Sequence, residues 1–314
     1  MACIPAFRIN AWNLSISSMF KLQMNINKII NMLRSVINFR NKIFGLIALL
    51  VGFGLTACSN GDGSGTMRVS LTDAPADYAE VNIEIHQVLV KANDEDDDDL
   101  DDTKDLDNDE LEDQGWKVVF NDTITVNLLD YQNGAILDLG EVELKEGRYN
   151  QVRLVLGDEN NVVLNSGETI QLNTPSGQTS GFKLLVQADI EADQVYDLVI
   201  DFDASRSIVV TGNGGYNLKP VLKTANLTAS GSISGTILPT EANPYVYAIA
   251  GTDTSGTQVD ENGDFRIIGL SNGTYKIEIK PTNEAYSDST ITNIELENGE
   301  DIVLEEDITL EANS

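Results

Sequence analysis

Carboxylates are the residues with which this chain could do chemistry. Asp201 and Asp203 stand two apart in Leu198-Val-Ile-Asp-Phe-Asp203, with Arg206 just beyond. Strand alternation puts both on one face. Such a pair can serve glycoside hydrolysis or hold a ligand, but the plainest reading is an ion-paired turn with Arg206. Asp105, Asp107 and Asp109 alternate as D-x-D-x-D inside an acidic run, Asn93 to Asp113, that holds 14 acids and one lysine. Their oxygens suit a calcium ion. The EF-hand pattern stops there, because Glu110 stands where glycine is needed and Trp116 where a bidentate acid is needed. Tyr245 and Tyr247 flank Val246, so their rings share a sheet face, where they stack a sugar or pack across strands. Asp73, in Leu71-Thr-Asp-Ala-Pro75, reads as an Asx-type turn. His86 is the only histidine and alternates with Asn82 and Glu84 along a surface strand, so a Ser-His-Asp triad has one candidate base at most.

Cysteine chemistry is narrower still. Ile43 to Leu55 is an uncharged apolar run of 13 residues, short of the roughly 20 that a spanning helix needs. Arg34, Arg40 and Lys42 precede it, as in a secretory signal. It closes on Leu55-Thr-Ala-Cys58, which resembles the bacterial lipobox. That resemblance implies cleavage before Cys58 and acylation of Cys58, with the lipid bilayer as partner through buried acyl chains. Residues 1–57 would be the discarded signal, with Met24 and Met32 as alternative starts, and 58–65 a lipidated, flexible tether. The remaining 257 residues suffice for one large or two modest domains. The leader carries six basic residues (Arg8, Lys21, Lys28, Arg34, Arg40, Lys42) and no acid, so the net charge of −30 becomes −36 without it. That balance excludes nucleic acid as a partner and favours divalent cations. With Cys3 discarded and Cys58 acylated, the exported fold has no disulfide, no Cys-ligated zinc and no thiol nucleophile.

The elements that must position these residues are strands. Val81 to Val90 reads as one period-two strand, and Trp116-Lys-Val-Val-Phe120 resumes the pattern after the acidic run, which is expected to be a solvated loop 93–113 inserted between two strands. Many short strands follow, punctuated by Asn133-Gly134, Glu146-Gly147, Ser166-Gly167 and Ser176-Gly177. No amphipathic helix of useful length is expected. The pattern predicts an all-β protein, an antiparallel β-sandwich over 66–224 followed by a smaller sandwich over 225–314. The join falls between Thr224 and Ser230.

Two resemblances bear on this. Val69-Ser-Leu-Thr-Asp-Ala-Pro75, Val126-Asn-Leu-Leu-Asp130, Gly147-Arg-Tyr-Asn-Gln-Val-Arg-Leu-Val-Leu156, Leu198 to Ile208 and Tyr216 to Val221 resemble a lipoprotein family known as domain of unknown function 4382. It implies architecture and export but no activity. The acidic insertion departs from its pattern. Gly231-Ser-Ile-Ser-Gly235, Asp260-Glu-Asn-Gly-Asp-Phe265, Gly269-Leu270 and Gly273-Thr-Tyr275 resemble a carboxypeptidase-regulatory-like domain, a transthyretin-like (prealbumin-like) sandwich. There Asn262-Gly263 reads as a hairpin turn, and Phe265 and Tyr275 as core.

The reading that follows is a non-catalytic lipoprotein of the bacterial cell envelope, lipid-anchored to the outer membrane on either face. It would bind or adhere, with glycan the first ligand to test. A structural spacer contacting another envelope protein comes second, and a carboxylate hydrolase last. No cofactor is implied beyond a calcium ion on the acidic run.

Overall fold

Apolar residues at every second position give each strand one face for a core. Met67, Val69 and Leu71 do this first, then Val81, Ile83 and Ile85. The computed structural model describes residues 63–92, 107–174, 181–212, 214–297 and 299–313. Within them the regular structure is nearly all strand, and two separate hydrophobic cores form.

The first core lies between two sheets. One has the order β12-β9-β1-β4, built from Leu222–Asn226, Val195–Asp203, Ser64–Ala74 and Leu137–Lys145. The other runs β10 (Ile208–Val210), β11 (Tyr216–Leu218), β7 (Thr169–Asn173), β6 (Asn161–Val163), β2 (Glu80–Ala92), β5 (Gly147–Leu156) and β8 (Phe182–Ile190). β3 (Trp116–Asn127) also pairs with β2, so the acidic run does join two paired strands. Strand β12 extends to Asn226 on the edge of the first sheet, which places the link to the second core at 227–230.

The second core lies between β16-β13-β19 (Asp264–Leu270, Gly231–Leu238, Asp301–Val303), with β20 (Ile308–Thr309) also on β13, and β15-β14-β17-β18 (Asp253–Gln258, Tyr245–Ala250, Gly273–Lys280, Ser289–Leu296). Phe265 and Tyr275 are buried there as expected, among Ile233, Val246, Ile267, Ile277 and Ile279.

The sequence pattern misses four features. The pairing is not uniformly antiparallel: β1 with β9, β7 with β11, and β13 with both β19 and β20 are parallel. Parallel neighbours require crossovers, and a sandwich whose strands change sheets supplies them. The strand Val81 to Val90 is also not one regular period. Register shifts between Ile85 and Gln87 against both neighbours, and Val88 and Val90 then take the core positions while Leu89 turns outward. A bulge at His86 makes that switch. The acidic run is not all solvated loop. Its last residues form a short helix, Asn108–Asp113, whose Leu111 is buried against Leu89 and Trp116. Finally, Asn262-Gly263 does not close a hairpin: the turn carries β15 of one sheet into β16 of the other. Gly263 has φ +85°, and a Cβ there would meet the Ile237 carbonyl at 2.3 Å, so the corner needs glycine.

Candidate functional site

Strands β1 and β9 run side by side in parallel, with Thr72 opposite Asp201, Asp73 opposite Phe202 and Ala74 opposite Asp203. Because Ile200 and Phe202 face the first core, Asp201 and Asp203 project from the other face. That face meets the second sandwich. Asp201 lines a small cavity there with Lys223 of β12 and with Asp253, Ser255 and Ile268. Burial raises the Asp201 carboxyl to about 6, with Lys223 opposing and Asp203 adding. The Lys223 ammonium lies 3.2 Å from Asp253 and donates to the Thr254 carbonyl at 2.5 Å. Thus Lys223 ties β12 of the first sandwich to β15 of the second.

Asp203 has the structural role expected of it. Its Oδ1 accepts from the Arg206 N–H at 3.0 Å and from the Ser205 hydroxyl at 2.8 Å, and the Arg206 guanidinium lies 3.7 Å away. It caps the single helical turn Ala204–Ser207. Asp73 departs from expectation. Rather than closing a local Asx turn, its buried carboxylate reaches across to accept from the Ala204 N–H at 3.0 Å and from the Gln132 amide at 3.4 Å. Burial pushes its pKa well above the usual carboxylate range, and these two donors oppose that. The signal is a carboxylate between Thr72 and Ala74, two residues past Leu71 at the end of a buried strand, which a turn motif disguises.

Tyr245 and Tyr247 alternate on β14 with Val246 and Ala248, which fill the second core. The two rings therefore share the outer face of their sheet, half-buried, as the sequence predicts. Tyr247 passes over Gly256 of β15, where a Cβ would come within 2.7 Å of the ring and 3.3 Å of Pro75. The glycine makes room for the ring. Burial is the main cause that raises both phenols. Asp77 adds to it for Tyr245, and Asp203 adds for Tyr247. The fold thus brings Asp201, Asp203, Tyr245 and Tyr247 to one junction, from strands more than forty residues apart in sequence. It adds Asp77 and, from β17, Lys280, which is ion-paired with Asp288.

A turn of the first sandwich fixes this junction. Asn133, in the left-handed region at φ 56°, donates its N–H to the Thr257 hydroxyl at 2.7 Å and its side-chain amide to the Asp264 carbonyl at 3.0 Å. Its Oδ1 accepts the Arg266 N–H at 2.5 Å. One asparagine side chain therefore mimics a strand residue at the edge of β16. Gly134 follows at φ +78° under the Arg266 side chain. Arg266 in turn reaches Asp301 of β19 at 3.3 Å.

The remaining candidates lie elsewhere. Asp107 caps the helix Asn108–Asp113, accepting from the Glu110 N–H at 2.9 Å while the Glu110 carboxylate accepts the Asp107 N–H. This is a reciprocal capping box. Asp109 is exposed in the helix's first turn. Asp105 and Cys58 lie outside the described residues. Among the described residues, no three His, Cys, Asp or Glu side chains are arranged to hold a metal ion. Trp116 is buried, with the Arg153 guanidinium 4.8 Å and the Lys91 ammonium 5.5 Å from its ring centre. His86 is half-buried 3.4 Å from Glu84 on the same strand face, as expected. Glu84 accepts the N–H groups of Asp158 and Glu159, and a Cβ at Gly157 would sit 1.8 Å from its carboxylate.

Comparison with known proteins places the first sandwich. The family model described as "Domain of unknown function (DUF4382)" matches residues 64–220, half of the chain, and the chain belongs to that family. The match includes the strands that carry Asp73, Asp201 and Asp203 and ends before Tyr245. No curated protein sequence matches the chain. Among solved structures, one similarity is to an interface mutant of a type II cohesin–X-dockerin complex from Acetivibrio cellulolyticus, at 24% identity and TM-score 0.22 over 26% of this chain. The match spans 58% of that chain's length. Others are to the minor pilin GBS52 of Streptococcus agalactiae (13% identity, 79% of this chain, 97% of that one, TM-score 0.20) and to a mutant of the shaft pilin SpaA of Lactobacillus rhamnosus GG (10% identity, 80% and 98%, TM-score 0.21). Among the described residues no helix is long and apolar enough to cross a membrane.

Proposed function

We propose that this chain is a non-catalytic binding module of the bacterial cell envelope, held to the outer membrane through acylated Cys58, and that its ligand is a glycan bound at the junction of the two sandwiches. One observation carries the reading: Tyr245 and Tyr247 share the half-buried outer face of β14, the Tyr247 ring lies over Gly256 where the first sandwich's Pro75 also approaches, and Asp201 of the first sandwich lines the cavity between the two. Aromatic faces suit the apolar faces of sugars, and carboxylates accept from sugar hydroxyls. Two sandwiches contribute, which is where ligand sites concentrate. The second sandwich, read as a transthyretin-like domain, supplies the platform, and the first supplies the carboxylates. Catalysis is the weaker reading because the Asp203 carboxylate is already engaged by Arg206 and Ser205. A calcium ion on the acidic run would have to share Asp107 with the helix cap.

A glycan-array screen of residues 58–314 in unacylated form, run with calcium and with chelator, tests the binding reading. Binding to a defined glycan class supports it, and loss of that binding in chelator adds the calcium. Silence on every glycan in both conditions contradicts it. The anchor is tested separately: Cys58→Ala must release the protein from the membrane fraction and change its processing.

A second reading, a rigid spacer that holds a partner away from the membrane, is favoured by the polar clamp of Asn133 on Thr257, Asp264 and Arg266.

A further inference from the structure

In the second sandwich the first and last strands are parallel neighbours. β13 pairs with β19 through Ser232–Asp301, Ile233–Ile302 and Ser234–Val303, and then with β20 through Ile237–Ile308 and Leu238–Thr309. The chain therefore enters at Gly231 at one end of the sheet and leaves at Leu310 at the other. Main-chain bonds join them in two stretches, before and after Gly235-Thr236: Ser232 N–H to Glu300 at 3.2 Å, Leu304 N–H to Ser234 at 2.8 Å, and Leu310 N–H to Leu238 at 2.8 Å. The Ser232 hydroxyl adds a bond to Asp301 at 2.5 Å. Beyond β20 the chain is fastened again, with the Asn313 N–H on the Ala285 carbonyl at 2.7 Å and the Ser287 N–H on the Glu311 carbonyl at 2.9 Å.

The first sandwich is threaded differently. β1 is parallel to β9, whereas β12 is antiparallel to it. Thr66 pairs with Val195 where the chain enters, and the Leu227 N–H bonds to Asp197 where it leaves. Entry and exit are therefore at the same end.

We infer that the second sandwich is a tension-bearing element, its terminal strands arranged to be sheared, while the first sandwich is arranged to be peeled and yields before it. A pull along the chain draws β13 against β19 and β20 lengthwise, so their cross-strand bonds share the load and must fail together. In the first sandwich the same pull parts β1 and β12 from one end, and bonds fail in turn. Forced opening is governed by the unfolding barrier rather than by equilibrium stability, so the order of failure follows geometry. The biological use of this property rests on the spacer reading. The mechanics do not, and a failed pulling experiment is separate from a failed test of the junction clamp.

The test is single-molecule pulling of residues 63–313 between terminal handles. Two ruptures are expected, the longer release of the first sandwich preceding the shorter release of the second. The second handle is then moved to Glu297→Cys, in the turn before Glu300, whose carbonyl abuts Gly231. That geometry peels β13 from β19, and the second rupture should fall at least about two-fold in force at equal loading rate. Equal forces in the two geometries, or a first sandwich that outlasts the second under terminal pulling, would overturn the inference. Unchanged thermal unfolding of Glu297→Cys shows that any fall comes from geometry alone.

Discussion

The two sandwiches bury polar groups very differently. Among the described residues the first buries Ser70, Thr72, Asp73, Gln87, Gln151, Arg153, Asn160, Thr174 and Ser207, whereas the second buries only Ser232 and Thr257. The difference has a direction. Thr72 donates to the carbonyls of Tyr131 and Ala135, and Asp73 accepts from Gln132 and Ala204. These bonds hold the turn that carries Asn133 and the helical turn that follows Asp203. Even the buried Thr257 of the second sandwich accepts from Asn133. Thr72 and Asp73 thus shape loops at the junction, whereas Gln87, Asn160 and Arg153 are engaged away from it, by Asn121, by Glu84 and Gly157, and by the Trp116 ring. The second sandwich is an apolar core whose contribution is rigidity and a tyrosine face.

Mutations in the two sandwiches should differ in cost as their cores differ. Phe265→Ala removes a fully buried ring from the apolar second core and should cost about 3–5 kcal/mol. Measured by urea unfolding, a loss below about 1 kcal/mol would show that this core is not close-packed. Leu111→Ala should cost about 2–3 kcal/mol, since Leu111 is buried but belongs to a small satellite cluster. Trp116 is the only tryptophan of residues 63–313 and packs on Leu111, so its emission should shift red in this variant and stay unchanged in folded Phe265→Ala. Asn133→Ala removes a side chain that both donates and accepts across the junction, and should cost about 1–2 kcal/mol. It should also speed amide exchange at Arg266, and unaltered exchange there would mean that the clamp does not hold.

The smallest expected effect concerns pH. A carboxyl raised to about 6 in the fold binds its proton more tightly there than in the unfolded chain, so charging it opposes folding. The penalty is full above about pH 6 and is relieved as pH falls toward about 4. Asp73 acts in the same direction. Asp189, held below its usual range first by its hydrogen bond to Arg148, acts oppositely and only at lower pH. The urea midpoint should therefore rise between pH 7 and pH 5, and Asp201→Asn should flatten that rise. An unchanged slope in the variant would remove Asp201 from the explanation.

Strand alternation made most of the fold legible. Val246 and Ala248 announced a core face, and so fixed the tyrosine pair on the other. The Asp201–Asp203 pair and its turn with Arg206 were equally local. What the sequence concealed depended on distant partners. Asp73 looked like a turn residue because its donors, Ala204 and Gln132, lie 131 and 59 positions away. The bulge at His86 was hidden because valine and leucine occupy both faces after it, once Leu111 and Trp116 cover the outer one. The helix over Asn108–Asp113 was lost in acidic composition, although Asp107 and Glu110 spell a capping box at the right spacing. The reach of Lys223 to Asp253 and of Asn133 to Thr257 follows from how one sandwich seats on the other, which no local pattern encodes.

One titration decides whether the junction is a binding site. The glycan retained best on the array is titrated by calorimetry into the unacylated chain and into the Tyr245→Ala/Tyr247→Ala double variant. Saturable binding is expected, weakened in the double variant by about ten-fold or more, roughly 1.4 kcal/mol, with Trp116 emission unchanged. Equal affinity in the two proteins would place the ligand away from the tyrosine pair and rule out the junction as its site.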